Sequence, residues 1–263
     1  MDKAQDLDQF YTNQHLASNL IDYLISRYGP DFSNSTILEP SAGEGAFTDY
    51  LQDKAISFLA LDLDPKKSYI KQQDFLLWEP PANKVYFSIG NPPFGKNSSL
   101  AIKFFNKCAE FSTHIAFIIP NTFKKNSVKD KLDLNFHLTH EVNLPLSSFT
   151  HKGKPYSVPC CFQVWEKRSI LRKLTPKYST EDFDFVLPLQ ADLAFQRVGA
   201  KAGKITLAPE AKLKNTSSHF FIKFKDKSFL NEFIKFDFTK YKYATAGNPS
   251  ISKQEILEIW NTK

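Results

Sequence analysis

Hydrophobic positions in the first 170 residues follow two kinds of spacing, one typical of helices and one typical of buried strands. At 15–29, "HLASNLIDYLISRYG" has apolar side chains about every four residues, which predicts an amphipathic helix that ends at Gly29. The stretch "SLAIKFFNKCAEF" at 99–111 predicts a second amphipathic helix. In contrast, "VYFSIG" at 85–90 and "HIAFIIP" at 114–120 are continuous apolar runs, as in strands covered on both faces.

Other short apolar runs extend this pattern and predict an α/β fold. Strands are expected where the chain reads "STILE", "SFLALD" and "SVPCCFQVW", with glycine turns or helical stretches between them. Strands that alternate with helices form a mostly parallel sheet, which binds ligands at the carboxyl ends of its strands. The polar residues that follow predicted strands are therefore the candidates for a functional site: Glu39 and the stretch to Gly45, Asp62, Asp74 and Asn91.

The pattern loosens after Lys167 into a polar stretch with a proline, "KLTPKYSTEDFDF". A lysine-rich region with strand-like patterning follows, and it ends in a predicted helix at 252–260. We therefore predict two domains, a larger one at 1–170 and a smaller one at 171–263.

Charge is distributed unevenly between these two parts. Residues 1–168 contain 18 Lys and Arg against 18 Asp and Glu, whereas residues 169–263 contain 16 against 10. The whole formal charge of +6 therefore lies in the last third of the chain. A neutral body with a basic appendage predicts a polyanionic partner, most simply nucleic acid. The alternative, that the lysines serve only solubility, stays open.

The composition argues against a membrane, secreted, disulfide-rich or metal-binding protein. The longest apolar runs are too short to span a bilayer, and the acidic, polar start does not resemble a secretory signal. Cys108, Cys160 and Cys161 cannot form a disulfide framework, and no cysteine or histidine cluster has metal-ligand spacing. We expect a cytoplasmic protein that does not act at a membrane and holds no metal.

The stretch "EPSAGEGAF" at 39–47 is a candidate ligand-binding turn. Gly43 and Gly45 would allow the backbone to pass close to a ligand, since glycine has no Cβ. Glu39 and Asp62, each at the end of a predicted strand, could accept hydrogen bonds from an ammonium group or a ribose diol. A third glycine at the dinucleotide-binding spacing is missing, which argues against an ordinary dinucleotide site.

The stretch "QQDFLLW" adds Asp74 and Phe75 to the candidates. An aspartate beside an aromatic ring at a strand end could bond an adenine amino group while the ring packs on the base. The alternative interpretation is a turn cap for Asp74 and a core position for Phe75.

The stretch "NPPF" at 91–94 is the candidate for chemistry. The side-chain amide of Asn91 and the backbone carbonyl of Pro92 are two acceptors that could hold an exocyclic amine with its lone pair out of plane. Pro92 and Pro93 have fixed φ and no N–H, so the loop is prearranged. Phe94 offers a ring on which a flat base could stack. Alone, this stretch could also be an ordinary proline-rich turn.

Together these motifs resemble the amino-methyltransferases of the gamma type, which are S-adenosylmethionine-dependent N6-adenine methyltransferases. The resemblance covers roughly residues 8–167, and Asn13 departs from it because the family commonly has proline there. The matching stretches, in order, are "FYTNQHLASNLIDYL", "LEPSAGEGAF", "LDLDP", "QDFL" and "NPPFG".

The resemblance implies a class I methyltransferase fold, which is Rossmann-like, with a seven-stranded, mostly parallel sheet whose last strand is antiparallel. The domain at 1–170 would bind S-adenosyl-L-methionine and carry out catalysis, and 171–263 would be a small nucleic-acid recognition region. The implied cofactor contacts are Phe10, Tyr11 and Thr12 at the methionine end, Glu39, Ser41, Gly43 and Gly45 at the amino-acid moiety, Asp62 at the ribose, and Asp74 with Phe75 at the adenine.

The resemblance also implies the catalytic group and its mechanism. Asn91, Pro92, Pro93 and Phe94 would hold the target amine and stack on its base, and either Phe149 or Tyr156 would cover the base's other face. The methyl group would pass directly to the nitrogen, with neither a covalent enzyme intermediate nor a metal. Because duplex bases are buried, the adenine must be flipped out or already unpaired.

The identity of the methylated polymer stays open at this point. Methylation of DNA, as in restriction-modification systems, is favoured by the resemblance and by the basic last third. Methylation of adenine in RNA, including ribosomal RNA, and methylation of a protein glutamine are the alternatives among enzymes. A catalytically silent relative that binds nucleic acid or a partner subunit is the alternative from another class.

Several basic residues are candidates for contacts with a nucleic-acid backbone. Arg197, Lys201 and Lys204 lie near two glycines in "FQRVGAKAGK", which suits phosphate contacts. Lys96 follows the proline-rich turn directly and is a fourth candidate.

Overall fold

The computed structural model describes residues 10–146, 148–151 and 154–262. It divides into two compact units, one that ends at Leu174 and one that begins at Thr175. Each unit encloses hydrophobic clusters of its own.

The first unit combines strands with helices in the alternation expected of an α/β fold. Its helices are α1 Gln14–Asn34, α2 Ala46–Asp53, α3 Ser99–Ala109 and α4 Asn126–Lys129. Its strands are β1 Tyr11–Thr12, β2 Thr36–Glu39, β3 Phe58–Asp62, β4 Lys71–Gln72, β5 Tyr86–Gly90, β6 Ser112–Pro120, β7 Phe136–Asn143, β8 Phe149–His151, β9 Lys154–Tyr156 and β10 Cys160–Lys167.

Seven of these strands form one sheet in the order β4-β3-β2-β5-β6-β10-β7. Strand β10 pairs antiparallel with both β6 and β7, whereas the pairs among β4, β3, β2, β5 and β6 are parallel. This arrangement is the class I methyltransferase fold, so the predicted fold class is confirmed. The strand order reverses between β2 and β5, and open parallel sheets bind ligands at such a point.

The central strands are apolar because both faces of the sheet are covered. All five residues of β5 are buried, and so are eight of the nine in β6. Neighbouring residues alternate between two hydrophobic clusters: Ile115 and Phe117 join one, and Ala116 and Ile118 join the other. The continuous apolar runs that predicted these strands follow from this two-sided burial.

Helix α1 continues beyond the end that its sequence predicts. The backbone departs from helical geometry at Tyr28, and the helix then continues through Pro30 to Asn34. A proline is tolerated in the first turn after such a break, because its missing N–H has no helical partner there. Phe32 in the continuation is buried, so packing favours the extra turn. The predicted end at Gly29 is therefore wrong.

A small second sheet brings distant parts of the first unit together. It has the order β1-β8-β9, with Tyr11 opposite Thr150 and Phe149 opposite Tyr156. The stretch that leads into α1 is thereby held beside the hairpin of β8 and β9.

The second unit is a four-stranded antiparallel sheet with two helices. Helix α6 begins at a capping box, in which the Ser252 and Glu255 side chains each bond the other's backbone N–H. Its elements are β11 Phe183–Phe185, β12 Leu193–Gln196, β13 Ile205–Leu207, β14 His219–Phe224, α5 Lys227–Phe233 and α6 Lys253–Asn261, and its sheet order is β11-β14-β12-β13.

Candidate functional site

A cavity of about 340 Å³ lies where strands β2, β3 and β5 end. This volume is within the usual range for small-molecule sites. Most of the expected cofactor-binding and catalytic residues line it, although they come from five separate stretches of the chain. The expected residues in its wall are Phe10, Tyr11, Thr12, Glu39, Ser41, Gly43, Asp62, Asp74, Phe75, Asn91 and Pro93.

The side chain of Asn91 is held in one orientation at this cavity. Its Nδ2 donates a hydrogen bond of 3.0 Å to the backbone carbonyl of Phe10. The backbone carbonyl of Asn91 accepts a hydrogen bond of 3.2 Å from Ser41 Oγ. Its Oδ1 is buried and has no hydrogen-bond partner. Since Nδ2 is already engaged, Asn91 presents an unpaired acceptor beside the cavity.

Glu39 is a buried carboxyl group in the cavity wall. Burial raises its pKa well above the ordinary value of 4.5, and the nearby charges of Asp62 and Asp49 raise it further. Its Oε2 has no hydrogen-bond partner. Gly90, with φ of +138°, leaves room for it, because a Cβ there would lie 3.3 Å from Glu39 Cγ. A bound cation would compensate for the cost of ionising this carboxyl.

The carboxylate of Asp62 is oriented by backbone donors. The amide of Gly43 donates to Oδ2 over 2.7 Å, and the amide of Asp64 donates to Oδ1 over 2.8 Å. Each carboxylate oxygen has a second lone pair, so Asp62 can still accept hydrogen bonds from a diol. Gly43 has a φ of +53°, and a Cβ on it would lie 3.2 Å from the ring of Tyr11. The glycine therefore allows both the turn and the close approach of Tyr11.

Asp74 and Phe75 take the turn-cap and core positions of the alternative interpretation, and their contact with an adenine stays a prediction. Asp74 Oδ1 accepts a hydrogen bond from the amide of Leu76 and caps the short 3-10 helix Phe75–Leu77. Phe75 is buried in the hydrophobic core. Both residues nevertheless line the cavity, so the core position and the turn cap do not exclude contact with a ligand.

Three of the expected cofactor-binding and catalytic residues lie outside the cavity wall. Gly45 precedes α2, and a Cβ on it would lie 2.7 Å from Tyr69 Oη, so it serves packing against that side chain. Pro92 is buried, and Phe94 is half-buried.

Hydrogen bonds link the loop of Phe94 to helix α3 and to the turn after β6. The carbonyl of Phe94 accepts hydrogen bonds from the amides of Leu100 and Ala101 at the start of α3. Ser98 Oγ and Thr122 Oγ1 are 2.6 Å apart, which joins the loop to the turn after β6. These bonds anchor the loop, and its prolines restrict its backbone further.

The two candidates for stacking on the base's other face lie opposite each other on β8 and β9. Phe149 is 1% exposed and meets the ring of Phe94 edge-on, with centroids 6.4 Å apart. It would have to become exposed before it could stack on a base. The side chain of Tyr156 lies outside the described residues, so its stacking role stays a prediction.

Several cavity residues had not been singled out in the sequence, among them Gln73, Leu76, Leu100 and Phe104. Leu100 and Phe104 are four residues apart in α3. This spacing indicates that they share one face of the helix, but it does not indicate that a ligand lies against that face. The contact of the Phe10 carbonyl with Asn91 was also not foreseen, because a backbone group carries no sequence signal.

The basic candidates lie at the surface of their units. Lys96, Lys201 and Lys204 are exposed. The guanidinium of Arg197 lies 5.4 Å from the centre of the Phe220 ring, and its Nε donates to the carbonyl of Ser217. Their contact with a nucleic acid stays a prediction.

None of the helices among the described residues has the length and apolar character that a bilayer span requires. Within the same residues, no group of three or more His, Cys, Asp or Glu side chains could hold a metal ion.

The sequence matches no protein-family model and no curated protein. It is similar to several solved structures at low identity. A Pyrococcus horikoshii protein provisionally described as an RNA methyltransferase is 17% identical, with a TM-score of 0.48 over 62% of this chain and 88% of that one. A Haemophilus influenzae protein provisionally described as a methylase is 18% identical, with a TM-score of 0.38 over 58% and 99%.

A third similar structure is that of the plantazolicin methyltransferase BpumL in complex with SAH. It is 10% identical, with a TM-score of 0.40 over 59% of this chain and 84% of that one. Likeness at this level supports no assignment of activity, so function is inferred from this chain's own residues.

Proposed function

We propose that this chain is an S-adenosyl-L-methionine-dependent methyltransferase that acts on the exocyclic amine of adenine in nucleic acid, with DNA favoured over RNA. One observation carries the proposal. Asn91 lies directly after a central strand, and its Oδ1 is buried without a partner while its Nδ2 is held by the Phe10 carbonyl. A buried acceptor without a partner costs roughly 1–3 kcal/mol, so it calls for a donor from a ligand.

The residues of the cavity fit S-adenosyl-L-methionine. Glu39 offers a buried, unpaired carboxyl oxygen that suits the ammonium of an amino acid. Asp62 is oriented by two amides and suits a ribose diol. Phe75, with Leu76 and Phe104, offers an apolar wall on which an adenine could pack, beside the polar Asp74. One cavity thus offers charged, polar and apolar groups of the kinds that the parts of this cofactor would contact.

Asn91 would then hold the target nitrogen. The lone pair of an adenine amine is delocalised into the ring, and acceptors for its hydrogens favour the pyramidal nitrogen that can attack. The cofactor would supply the methyl group as an electrophile and keep the electrons of the broken carbon–sulfur bond. Asn91 and the Pro92 carbonyl are too weakly basic to keep the proton that the methylated nitrogen loses, so that proton passes to solvent. The protein's contribution is position and electrostatics.

A parallel assay tests the proposal. Purified protein is given tritiated S-adenosyl-L-methionine with single-stranded and duplex DNA, RNA and protein in separate reactions. We expect label in DNA as N6-methyladenine, and at least about a hundredfold less with Asn91→Ala, because both the acceptor and its positioning are lost. The matched control is Asn106→Ala, which removes an amide that bonds Lys131 and Asp133 away from the cavity.

Each other outcome has a distinct meaning. Label in RNA alone or in a protein glutamine would replace the favoured substrate with that polymer. Absence of label together with absence of cofactor binding, measured by calorimetry, would indicate a catalytically silent relative. Equal activity of Asn91→Ala and the wild type would refute the role of Asn91.

A further inference from the structure

Cationic side chains gather at one end of the sheet in the second unit. At this end, strands β11 and β12 finish and strands β13 and β14 begin, with Gln196 opposite His219. Arg197 directly follows β12, Lys204 directly precedes β13, and Lys201 lies in the turn between these two strands. We call this region the basic end of the sheet.

The start of α6 adds a fourth cation to the basic end. The amide of Ile251 donates a hydrogen bond of 2.8 Å to the carbonyl of Arg197, which holds the start of α6 beside the end of β12. Lys253 is the first residue of this helix, and it is exposed. The ion pairs described within the second unit use other lysines, so the four cations of the basic end have no carboxylate partner among the described residues.

Acidic side chains lie at the opposite end of the same sheet. Asp182 directly precedes β11, Asp192 directly precedes β12, and Asp226 closely follows the end of β14. A polyanion would therefore be attracted to the basic end and repelled from the other. Solubility requires charge on the surface, but it does not require the two signs to be separated between the ends of a sheet.

Two aromatic rings are partly exposed among the cations of the basic end. Phe185 ends β11 and Phe220 lies at the start of β14, with ring centres 5.8 Å apart. Both side chains are half-buried. The ammonium of Lys253 lies 4.6 Å from the centre of the Phe185 ring and 5.5 Å from that of Phe220. The guanidinium of Arg197 lies 5.4 Å from the centre of the Phe220 ring.

The two cations beside these rings are held to different extents. Arg197 Nε donates a hydrogen bond of 3.2 Å to the carbonyl of Ser217, which fixes the guanidinium in place. The contacts described for the Lys253 ammonium are with the two rings alone. A cation–π contact at an exposed site is weaker than the stacking of a base on an aromatic ring. Lys253 can therefore move to a phosphate and leave its place over the rings to a base.

We propose that the basic end binds a single-stranded stretch of nucleic acid, with an unpaired base stacked on the Phe185 and Phe220 rings and neighbouring phosphates held by the four cations. The inference rests on the proposed function and adds the form of the polymer to it. In a duplex, neighbouring base pairs cover both faces of each base, so stacking on a protein ring requires an unpaired strand. Every base has a face that can stack, so this surface would favour open strands without reading their sequence.

A binding experiment tests this inference without any adenine. The probes are a thymidine strand of about 20 nucleotides, longer than such a surface covers, and a base-free strand with the same number of phosphates. Each is titrated against the whole protein by fluorescence anisotropy. We expect the wild type to bind the thymidine strand more tightly. Phe220→Leu should reduce this preference at least about fivefold, because leucine keeps an apolar side chain but offers no ring. Lys253→Gln should weaken the binding of both probes.

Phe236→Leu is the matched control for the aromatic variant. Phe236 is also half-buried, but its ring lies 5.5 Å from that of Trp260, whose indole N–H donates to Asp182 at the opposite end of the sheet. Both variants lose the same atoms, so a general loss of stability, measured as Tm, would affect them alike. Phe236→Leu should keep the wild-type preference for the thymidine strand.

Two results would overturn the inference. Equal affinity of the wild type for the two probes, or binding of neither, would mean that no base stacks at the basic end. An equal effect of Phe220→Leu and Phe236→Leu would make the Phe220 ring a structural group.

Methyl transfer to adenine, measured separately, distinguishes this inference from the proposed function. Methyl transfer without a preference for the thymidine strand would refute the stacking surface alone. A preference that depends on Phe220, in a protein that transfers no methyl group, would support the surface and refute the proposed function.

Discussion

At the scale of single residues, Glu39 is the titratable group in the cavity whose surroundings differ most from water. It is 2% exposed, and Asp62 and Asp49 place further negative charge nearby. Both effects favour the protonated form, and burial is the larger cause of the raised pKa. Without a bound cation, the neutral, protonated form of Glu39 is therefore favoured.

The raised pKa of Glu39 predicts a pH-dependent stability. The folded state binds this proton more tightly than the unfolded state, so the contribution to stability is full below pH 4.5 and is lost as pH rises through the folded pKa. Glu39→Gln cannot ionise, so it should be more stable than the wild type at neutral pH and bind the cofactor more weakly. Urea unfolding at a series of pH values, with calorimetry of S-adenosyl-L-methionine, measures both effects.

Glu44→Gln is the control for this prediction, because Glu44 is an exposed carboxyl in the same turn. Its stability should follow the wild type across the pH series. Parallel curves for Glu39→Gln and the wild type would mean that Glu39 titrates normally.

At the scale of elements, the contacts of Asn13 show what asparagine contributes at the position where the resembled family commonly has proline. It caps α1, because its Oδ1 accepts hydrogen bonds from the amides of His15 and Leu16. The backbone amide of Asn13 donates a hydrogen bond of 3.0 Å to the backbone carbonyl of Ser148. Proline could supply neither bond. Asparagine therefore adds a helix cap and a link to the turn before β8, both close to Phe10.

Removal of this cap has a predictable cost. Asn13→Ala should lower the free energy of unfolding by about 1 kcal/mol, the usual effect of losing an N-cap side chain. Asn13→Asp keeps a capping oxygen and should stay within a few tenths of a kcal/mol of the wild type. Urea unfolding at neutral pH measures both values. Equal stability of Asn13→Ala and Asn13→Asp would show that the backbone link, not the cap, holds the start of α1.

At the scale of the whole molecule, the uneven charge distribution bears on the proposed partner. The basic excess lies in the second unit, where Arg197 stacks on Phe220 and Lys201 and Lys204 are exposed. Among the ion pairs of the described residues, none includes these three cations, whereas Lys225 is paired with Asp184. Cations without a carboxylate partner can neutralise phosphates at less cost.

This contrast predicts different salt dependence for two sets of variants. Changing Arg197, Lys201 and Lys204 together to glutamine should weaken nucleic-acid binding and reduce the slope of log K against log salt by about two on single strands and about three on duplex DNA. Lys225→Gln should change the slope little, because Asp184 already balances that charge. Fluorescence anisotropy at several salt concentrations measures both slopes. An equal effect of the two sets would mean that overall charge, rather than these residues, binds the polymer.

Much of the fold followed from periodicity in the sequence. The runs "VYFSIG" and "HIAFIIP" predicted central strands because two-sided burial requires continuous apolar residues. The end of α1 was missed because Phe32 gains burial beyond the break at Tyr28, and that gain depends on the sheet beneath it.

The sequence predicted which residues lie at the candidate site, but it did not predict their hydrogen bonds and packing contacts. Residues that follow parallel strands meet at one edge whatever their distance in sequence, which is why Glu39, Asp62 and Asn91 could be grouped. Their individual states depend on contacts that no local pattern encodes. Examples are the Gly43 amide on Asp62 and the buried ring of Phe149 against Phe94.

The sequence by itself determined where the central strands lie along the chain and which polar residues follow them, because burial on both faces of a sheet requires continuous apolar runs. Only the tertiary structure decided which of those groups are paired. Asn91 meets the carbonyl of Phe10 across 81 positions of sequence, and Glu39 is left with an unpaired oxygen. Whether a buried polar atom has a hydrogen-bond partner depends on how segments distant in sequence pack together. An atom that this packing leaves without a partner is available to a ligand.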